Sequence, residues 1–228
     1  MSPFRVPNPV PPAIARYREL TSLFFPPTPA HSVDGFPGTN GEEALGFFQA
    51  LKAGTIGEYL ASHPKAAAFV ALPKPFPASF AQERYFAVNA FKLVAASGEA
   101  TFVRYRIQPV AGVQELDADA VAGKGPEYLF EELDSRLAAG PVEFKLTAQV
   151  AQAGDVTNDN TAKWPETREV VELGTVVLTG ALEDNAAQQK TIIFDPVPRV
   201  AGVEPSDDPL LDVRAGVYLI SGRERRAA

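Results

Sequence analysis

Cysteine is absent from the 228 residues, and methionine, tryptophan and histidine are scarce, with one, one and two copies. The absence of cysteine excludes disulfide bonds, thiolate metal sites, iron–sulfur clusters and a cysteine nucleophile. The two histidines are His31 and His63, so any imidazole that this chain uses as a general base is one of them. The chemistry that remains depends on oxygen and nitrogen groups.

Long apolar runs and an excess of basic residues are also missing. No apolar stretch approaches the roughly 18 residues that a bilayer-spanning helix needs, and the N-terminal MSPFRVPNPVPPAIARYREL lacks the pattern of a secretory signal. Acidic residues outnumber Lys and Arg by 28 to 21, which gives a net charge of −7 and disfavours binding to nucleic acid phosphates. We therefore expect a cytoplasmic protein with neither a membrane nor a nucleic-acid partner.

Prolines concentrate at the N-terminus, where eight of them fall among residues 1–30. Proline removes a backbone donor and favours extended conformations, so residues 1–30 are predicted to form an arm. Its middle, AIARYRELTSLFF, is compatible with a helix but too short to be a domain. Residues 31–228 are predicted to form the folded domain, because 46% of the chain is hydrophobic.

Helical spacing appears in three segments of this domain. The first, EEALGFFQALKA between Gly41 and Ala53, is predicted to pack through the face that carries Leu45, Phe48 and Leu51. The second, GEYLASHPKAAAFVAL, is interrupted at Pro64, which helices tolerate best at their start. The third, GPEYLFEELDSRLAAG, is predicted to end at Gly140 with a left-handed cap.

Four segments carry strand signals. RYFAVNAFKLVAAS and ATFVRYRIQPV are rich in β-branched and aromatic residues, and Ser97-Gly98-Glu99 between them predicts a hairpin turn. VEFKLTAQVAQ and REVVELGTVVLTG alternate apolar and polar residues. The order of the segments predicts an α+β fold, in which helices surround an antiparallel sheet.

The C-terminal segment DDPLLDVRAGVYLISGRERR places Arg214 and Tyr218 four residues apart, with Arg225 seven residues further on. Residues four apart share one face of a helix, so the guanidinium can reach the phenol. A positive charge at that distance favours the phenolate form, which is a metal ligand. Ordinary packing on a helix surface is the alternative explanation for such a pair.

Several segments, in this order, resemble the haem catalase superfamily, and its shorter catalase-related peroxidase branch in particular. They are NAFKLVAASGEATFVRYRIQPVAG, AQVAQAGDVTNDNTAKWPE, VELGTVVLTG, KTIIFDPVPRVAGVEPSDDPLLDVR and Tyr218–Arg225. The resemblance covers about residues 31–228, and its most specific part is DPLL-x-x-R-x-x-x-Y. It implies a haem b cofactor and a peroxide-dependent oxidoreductase that acts on hydrogen peroxide or a small organic hydroperoxide in oxidative stress.

The resemblance also assigns roles to individual residues. Tyr218 would be the ligand of the haem iron, Arg214 would hold its phenolate, and Arg225 would belong to the same charge network. HSVDGFPG is similar to the segment in which a distal asparagine precedes a phenylalanine that faces the haem. Phe36 would be that phenylalanine, and His31, near the asparagine's place, is the candidate catalytic residue.

The sequence departs from the family pattern in two ways. Nothing in the chain is similar to the family's segment with the distal histidine and the four strands after it, so the sheet should correspond to about the second half of a catalase-type β-barrel. Peroxidase-like turnover with weak or no catalase activity is therefore expected. In addition, Asn89 stands where many members carry a histidine, which is expected to weaken one contact near the ligand.

Half a barrel would have two open edges, which are costly in water. Residues 1–30 would cover part of that surface, another chain would, or it would stay open, and we expect a homo-oligomer. A non-catalytic haem-binding or interaction protein is therefore the main alternative function. A metal hydrolase using Asp207, Asp208 and Asp212 is another, although an Asp before Pro-Leu-Leu is more typical of a helix N-cap.

Overall fold

A computed structural model describes residues 30–181, 184–198 and 200–227 of the chain. The predicted N-terminal arm, including AIARYRELTSLFF, thus lies outside the described residues except for Ala30. No described helix is long and apolar enough to cross a membrane.

The described residues form helices around one main sheet. The helices are α1 (Gly41–Ala53), α2 (Ile56–Ser62), α3 (Pro64–Val70), α4 (Ala118–Ala122), α5 (Tyr128–Ala139), α6 (Asn185–Thr191) and α7 (Leu210–Ala227), with a 3₁₀ turn at Phe80–Gln82. The strands are β1 (Phe76–Pro77), β2 (Tyr85–Phe86), β3 (Phe91–Val94), β4 (Ala100–Pro109), β5 (Glu115–Leu116), β6 (Val142–Val150), β7 (Val170–Leu178) and β8 (Val203–Pro205).

The main sheet has six strands, all antiparallel, in the order β7-β6-β4-β3-β8, with β2 also paired to β4. β1 and β5 form a separate small ribbon. The predicted hairpin is confirmed, since β3 and β4 pair directly and Val94 faces Ala100 across the turn. The described strands do not close into a barrel. The predicted architecture, an antiparallel sheet with surrounding helices, is confirmed.

Alternate residues of the long strands separate an apolar face of the sheet from a polar one. Val103 and Tyr105 of β4 lie on the apolar face with Leu146 and Ala148 of β6, all at most 4% exposed, and Leu211 of α7 packs against them. Helix α7 therefore begins against the apolar face of the sheet.

The polar face carries two buried arginines from β4. Arg104 donates to the carbonyl oxygens of Asp159 and Ala162, and its guanidinium lies 4.6 Å from the ring of Trp164. Arg106 donates to Gln149 at 2.9 Å. These contacts hold the segment between β6 and β7 against the sheet.

Two local predictions were wrong. Leu45, Phe48 and Leu51 of α1 are 58%, 52% and 55% exposed, because α1 packs instead through Phe47, whose ring contacts Tyr59 of α2 and Phe69 of α3 edge-on. Gly140 does not adopt the left-handed conformation after α5, since its backbone is extended (φ 161°, ψ 178°) and leads almost directly into β6.

Pro64 has the predicted position at a helix start. It is the first residue of α3, so the segment GEYLASHPKAAAFVAL forms two short helices and not one. His63, between them, stacks on Tyr59 with ring centroids 3.7 Å apart and an interplanar angle of 5°. This packing gives His63 a structural role in the helical layer.

Candidate functional site

Arg214 and Tyr218 meet on α7 as their spacing predicts. Nε and Nη2 of Arg214 donate to the phenol oxygen of Tyr218 at 3.2 Å and 3.0 Å. Two N–H donors of one guanidinium thus converge on the same oxygen. These bonds fix the orientation of the Tyr218 ring on α7.

A chain of hydrogen bonds also holds the guanidinium of Arg214 through its third nitrogen, Nη1. Nη1 of Arg214 donates to Oδ1 of Asn89, and Nδ2 of Asn89 donates to Oδ2 of Asp208 at 2.8 Å. The other oxygen of Asp208 accepts from the backbone N–H of Leu210 at 3.0 Å. Asn89 is 1% exposed and Asp208 is 3% exposed. These hydrogen bonds therefore connect the start of α7 to Arg214, and so to the phenol of Tyr218, through two buried side chains.

Asn89 makes both bonds because an amide carries a donor and an acceptor. Asn89 thus contacts both Arg214 and Asp208, and its effect relative to a histidine stays a prediction. Burial raises the pKa of Asp208, while the hydrogen bonds from Leu210 and Asn89 oppose that effect. These two bonds compensate part of the desolvation of the carboxylate.

The same bonds bear on the metal-hydrolase alternative. Both carboxylate oxygens of Asp208 already accept protein hydrogen bonds, and one of them caps the start of α7. In the described part of the chain, no three His, Cys, Asp or Glu side chains are grouped so that they could hold a metal ion. Asp207, Asp208 and Asp212 therefore give that alternative no support.

His31 lies at the edge of the sheet beside β2. Its backbone exchanges two hydrogen bonds with Phe86, at 3.1 Å and 2.8 Å, and its ring centroid lies 6.5 Å from that of Phe36. The ring nitrogen Nε2 is buried and has no hydrogen-bond partner among the described residues. The structure thus places His31 and Phe36, two of the predicted site residues, close to each other.

Electrostatics favour a neutral imidazole at this place. Burial lowers the pKa of His31 below its ordinary value, the positive charge of Arg214 lowers it further, and Asp34 opposes both effects. Arg214 therefore links the two groups of predicted site residues, since it bonds to Tyr218 and lies within electrostatic reach of His31.

A cavity of about 310 Å³ opens beside the ligand pair, lined by Phe194, Tyr218, Ser221 and Arg225. Arg225 donates to Oγ of Ser221 at 2.7 Å and to the carbonyl oxygen of Ile192 at 2.6 Å. It shares the cavity of Tyr218, while these two bonds tie it to α7 and to the segment that follows α6.

Gly222 allows the segment that follows α6 to approach α7 closely. A β-carbon at position 222 would lie 2.5 Å from Cγ1 of Ile193, so no side chain fits there. Ile193 packs against the helix, and the next residue, Phe194, borders the cavity. Sequence reasoning missed Phe194 and Ser221, although Phe194 lies inside KTIIFDPVPRV and Ser221 lies one helical turn after Tyr218.

The hydrogen-bond chain should contribute measurably to stability. Replacing Asn89 with alanine removes the donor to Oδ2 of Asp208 and the acceptor of Arg214, so we expect a loss of about 1–3 kcal/mol in the free energy of unfolding. Asn158→Ala, at an exposed position, is the matched control and should change stability by less than about 0.5 kcal/mol. Urea denaturation measures both, and equal losses would contradict a special role for Asn89.

His31 should make stability depend on pH. The pKa of His31 is lowered on folding, so the unfolded chain binds the proton more readily than the folded chain does. The contribution of the neutral His31 ring to the free energy of unfolding is therefore fully present above about pH 6.5. It is lost as the pH falls toward the folded-state pKa. His31→Gln should therefore reduce the loss of stability between about pH 7.5 and about pH 5.5. Urea denaturation at several pH values measures this loss for both proteins. If wild type and His31→Gln lose equal stability over this range, His31 is not buried as a neutral ring.

Comparison with known proteins shows the family of the chain. The sequence profile of the family described as Catalase matches residues 52–228. A catalase-related peroxidase of Mycolicibacterium paratuberculosis is 37% identical over 191 residues, which are 79% of this chain and 61% of that protein. A catalase-related peroxidase of Synechococcus elongatus is 33% identical over 159 residues, 70% of this chain and 47% of that protein.

The fold has solved counterparts. A fungal catalase superposes with a TM-score of 0.76 at 20% identity, covering 86% of this chain and 44% of the fungal one. The chain thus spans between about a quarter and three fifths of the length of the proteins it matches. The profile covers most of the sequence, including Asn89, Asp208, Arg214 and Tyr218. The chain belongs to the catalase family.

Proposed function

We propose that this chain is a haem b protein and a peroxide-dependent oxidoreductase of the peroxidase type, acting on hydrogen peroxide or a small organic hydroperoxide. The observation that carries the proposal is the pair of hydrogen bonds from Arg214 to the phenol oxygen of Tyr218. Tyrosinate is the axial ligand of haem iron in catalases. Membership of the catalase family supports the same conclusion.

The residues present fit such a group. Tyr218 offers a phenol oxygen that two hydrogen bonds from Arg214 orient, and the adjoining cavity offers the aromatic ring of Phe194 and the guanidinium of Arg225. On the side of His31, a buried ring nitrogen lacks a partner among the described residues. A buried polar atom without a partner is expected to meet a ligand or water when the site is filled.

Each residue then has a defined task. Bound haem would supply an iron centre that can give electrons to the peroxide O–O bond. Tyr218 would hold the iron through its phenol oxygen, and Arg214 would orient that oxygen. Arg225 would belong to the same charge network, and Phe36 would face the haem.

His31 is proposed as the general base. A neutral Nε2 can accept the proton of the first peroxide oxygen and return it to the leaving oxygen, and the lowered pKa of His31 keeps this nitrogen unprotonated near neutral pH. His63 is committed to packing on Tyr59. With one available imidazole, in the place of the family's asparagine, we propose weak or absent catalase activity beside the peroxidase reaction.

The alternative is a non-catalytic haem-binding or interaction protein. The edge strand β7 favours it, because no described strand pairs with its outer side and Val170 and Val177 are 48% and 45% exposed. Haem binding without any peroxide turnover would favour this alternative over the enzyme.

Ligation by Tyr218 predicts a specific spectral change. Purified protein titrated with haemin should develop a shifted Soret band, and Tyr218→Phe should abolish or displace it because the anionic ligand is lost. Tyr128→Phe is the matched control. Tyr128 also lies on a helix, and the cation of Lys124 lies 5.5 Å from its ring. A Soret band that is identical in wild type and Tyr218→Phe would refute the ligand assignment.

The role of His31 is tested by turnover. If Nε2 moves the peroxide proton, His31→Ala should lower the peroxidase rate by about 10²–10⁴-fold while the Soret band stays in place. His63→Ala is the control and should leave the rate within about twofold, because the contacts of His63 are with Tyr59 and Ser62 in the helical layer. An unchanged rate in His31→Ala would remove His31 from the mechanism without affecting the haem assignment.

A further inference from the structure

Residues 30–36, here called the His31 segment, are held at two places by one residue of the sheet. Arg106 of β4, which is 8% exposed, pairs with Asp34, and 3.3 Å separates its Nη2 from Oδ2 of Asp34. The same guanidinium lies 5.1 Å from the ring centroid of Phe86, whose backbone exchanges two hydrogen bonds with that of His31. One buried cation therefore contacts both the strand residue that pairs with His31 and a carboxylate three positions after His31.

Further hydrogen bonds fix the guanidinium of Arg106 on the sheet. Its Nη2 also donates to Oε1 of Gln149 on β6 at 2.9 Å, and its Nη1 donates to the carbonyl oxygen of Tyr105 at 3.3 Å. Burial lowers the pKa of Arg106, and the charge of Asp34 opposes that effect. A buried cation needs a charged partner to offset its desolvation, so Arg106 and Asp34 stabilise each other in this place.

The His31 segment also contacts the helical layer and the core. Gly35 is buried, and a β-carbon there would lie 3.0 Å from Cδ1 of Leu72, just after α3. Ala30, at the other end of the segment, packs against the apolar core of the sheet. These contacts are apolar and short-ranged, so the pairing of Asp34 with Arg106 is the charged contact that ties the segment to the sheet.

We propose that Arg106 is a positioning residue for His31 and that it acts through Asp34 and Phe86. Arg106 holds the segment against the sheet, so that the ring of His31 stays buried and its Nε2 stays aimed at the site. The importance of this for turnover rests on the proposed function, in which Nε2 moves the peroxide proton. The placement of His31 itself does not depend on haem and can be measured on the apoprotein.

The charges around His31 determine what the loss of Arg106 would do. Burial lowers the pKa of His31, Arg214 on α7 lowers it further, and Asp34 on its own segment raises it. Arg106 faces Asp34 from β4, and Arg84, just before β2, is exposed. Without Arg106, the carboxylate of Asp34 would lose its partner and the segment would be held less firmly in its buried position. Both changes raise the pKa of His31.

The first test is a pH titration of the imidazole C–H signals by NMR on the full chain without haem. The chain has two histidines, so His63 serves as the internal reference. In Arg106→Met the pKa of His31 should rise toward its ordinary value of about 6.5. Arg84→Met is the matched control, because Arg84 also lies near the ring of Phe86, at 5.9 Å, but forms no ion pair within the described ranges. Equal pKa values of His31 in wild type and Arg106→Met would overturn the proposal.

A second test removes the ion pair from its more exposed side, where the fold is less at risk. The side chain of Asp34 is 25% exposed, and Asp34→Ala should speed hydrogen exchange of the His31 backbone amide by about threefold or more, because the segment separates from β2 more often. Glu204→Ala is the control, since it breaks a different ion pair of the sheet, with Lys92 at 2.8 Å, and should leave this amide unchanged. Equal exchange rates in wild type and Asp34→Ala would show that the pair does not hold the segment.

Turnover of the haem-loaded protein separates this proposal from the proposed function. If His31 is the base, the acid limb of the peroxidase rate should move to higher pH in Arg106→Met by as much as the NMR titration of His31 does, because a protonated imidazole cannot accept the peroxide proton. Arg84→Met should keep the wild-type profile. A shifted titration with an unshifted rate profile would refute His31 as the base and support its positioning by Arg106. An unshifted titration would refute the positioning, whatever the rate profile shows.

Discussion

The site depends on the hydrogen bonds that connect Arg214 to the phenol oxygen of Tyr218. A hydrogen bond to a charged group contributes about 1.5–3 kcal/mol net, whereas fixing a long side chain such as arginine costs about 2 kcal/mol of rotamer entropy. Two bonds to one oxygen exceed that cost, and a third bond to the guanidinium further supports its orientation. Asn89 and Asp208 provide this support, since they fix the guanidinium from the side opposite Tyr218.

The fold supplies that support from three places distant in sequence. Asn89 lies between β2 and β3, Asp208 lies just before α7, and Leu211 anchors the first turn of α7 on the apolar face of the sheet. Because Asp208 also accepts from the N–H of Leu210, the same carboxylate caps the helix and orients the ligand pair. Stability and site geometry are therefore coupled through one buried group.

Sequence reasoning succeeded where the relevant contact is local. The spacing of Arg214 and Tyr218 was sufficient because residues four apart on a helix are neighbours in any fold, and the turn at Gly98 was sufficient for the hairpin. Sequence reasoning failed to find the buried face of α1, because two faces of that helix are apolar. Which of them is buried depends on Tyr59 and Phe69, which belong to other helices.

Long-range contacts were the least predictable. Asn89 and Asp208 are 119 positions apart, and no periodicity relates them, so the hydrogen-bond chain becomes visible only in the folded structure. Phe194 joins the cavity because Gly222 lets Ile193 pack on α7, which is also a tertiary effect. By contrast, the similarity to catalase-related peroxidases was detectable in the sequence because it spans several segments in a fixed order.

The most direct test of ligation by Tyr218 is resonance Raman spectroscopy of the haem-loaded protein, with excitation into the tyrosinate-to-iron charge-transfer band. Protein produced with ring-deuterated tyrosine should show phenolate vibrations that shift on labelling, and these vibrations should be absent from Tyr218→Phe. Haem-loaded protein whose spectrum contains no label-sensitive phenolate mode would contradict a site organised around an oxygen ligand at Tyr218.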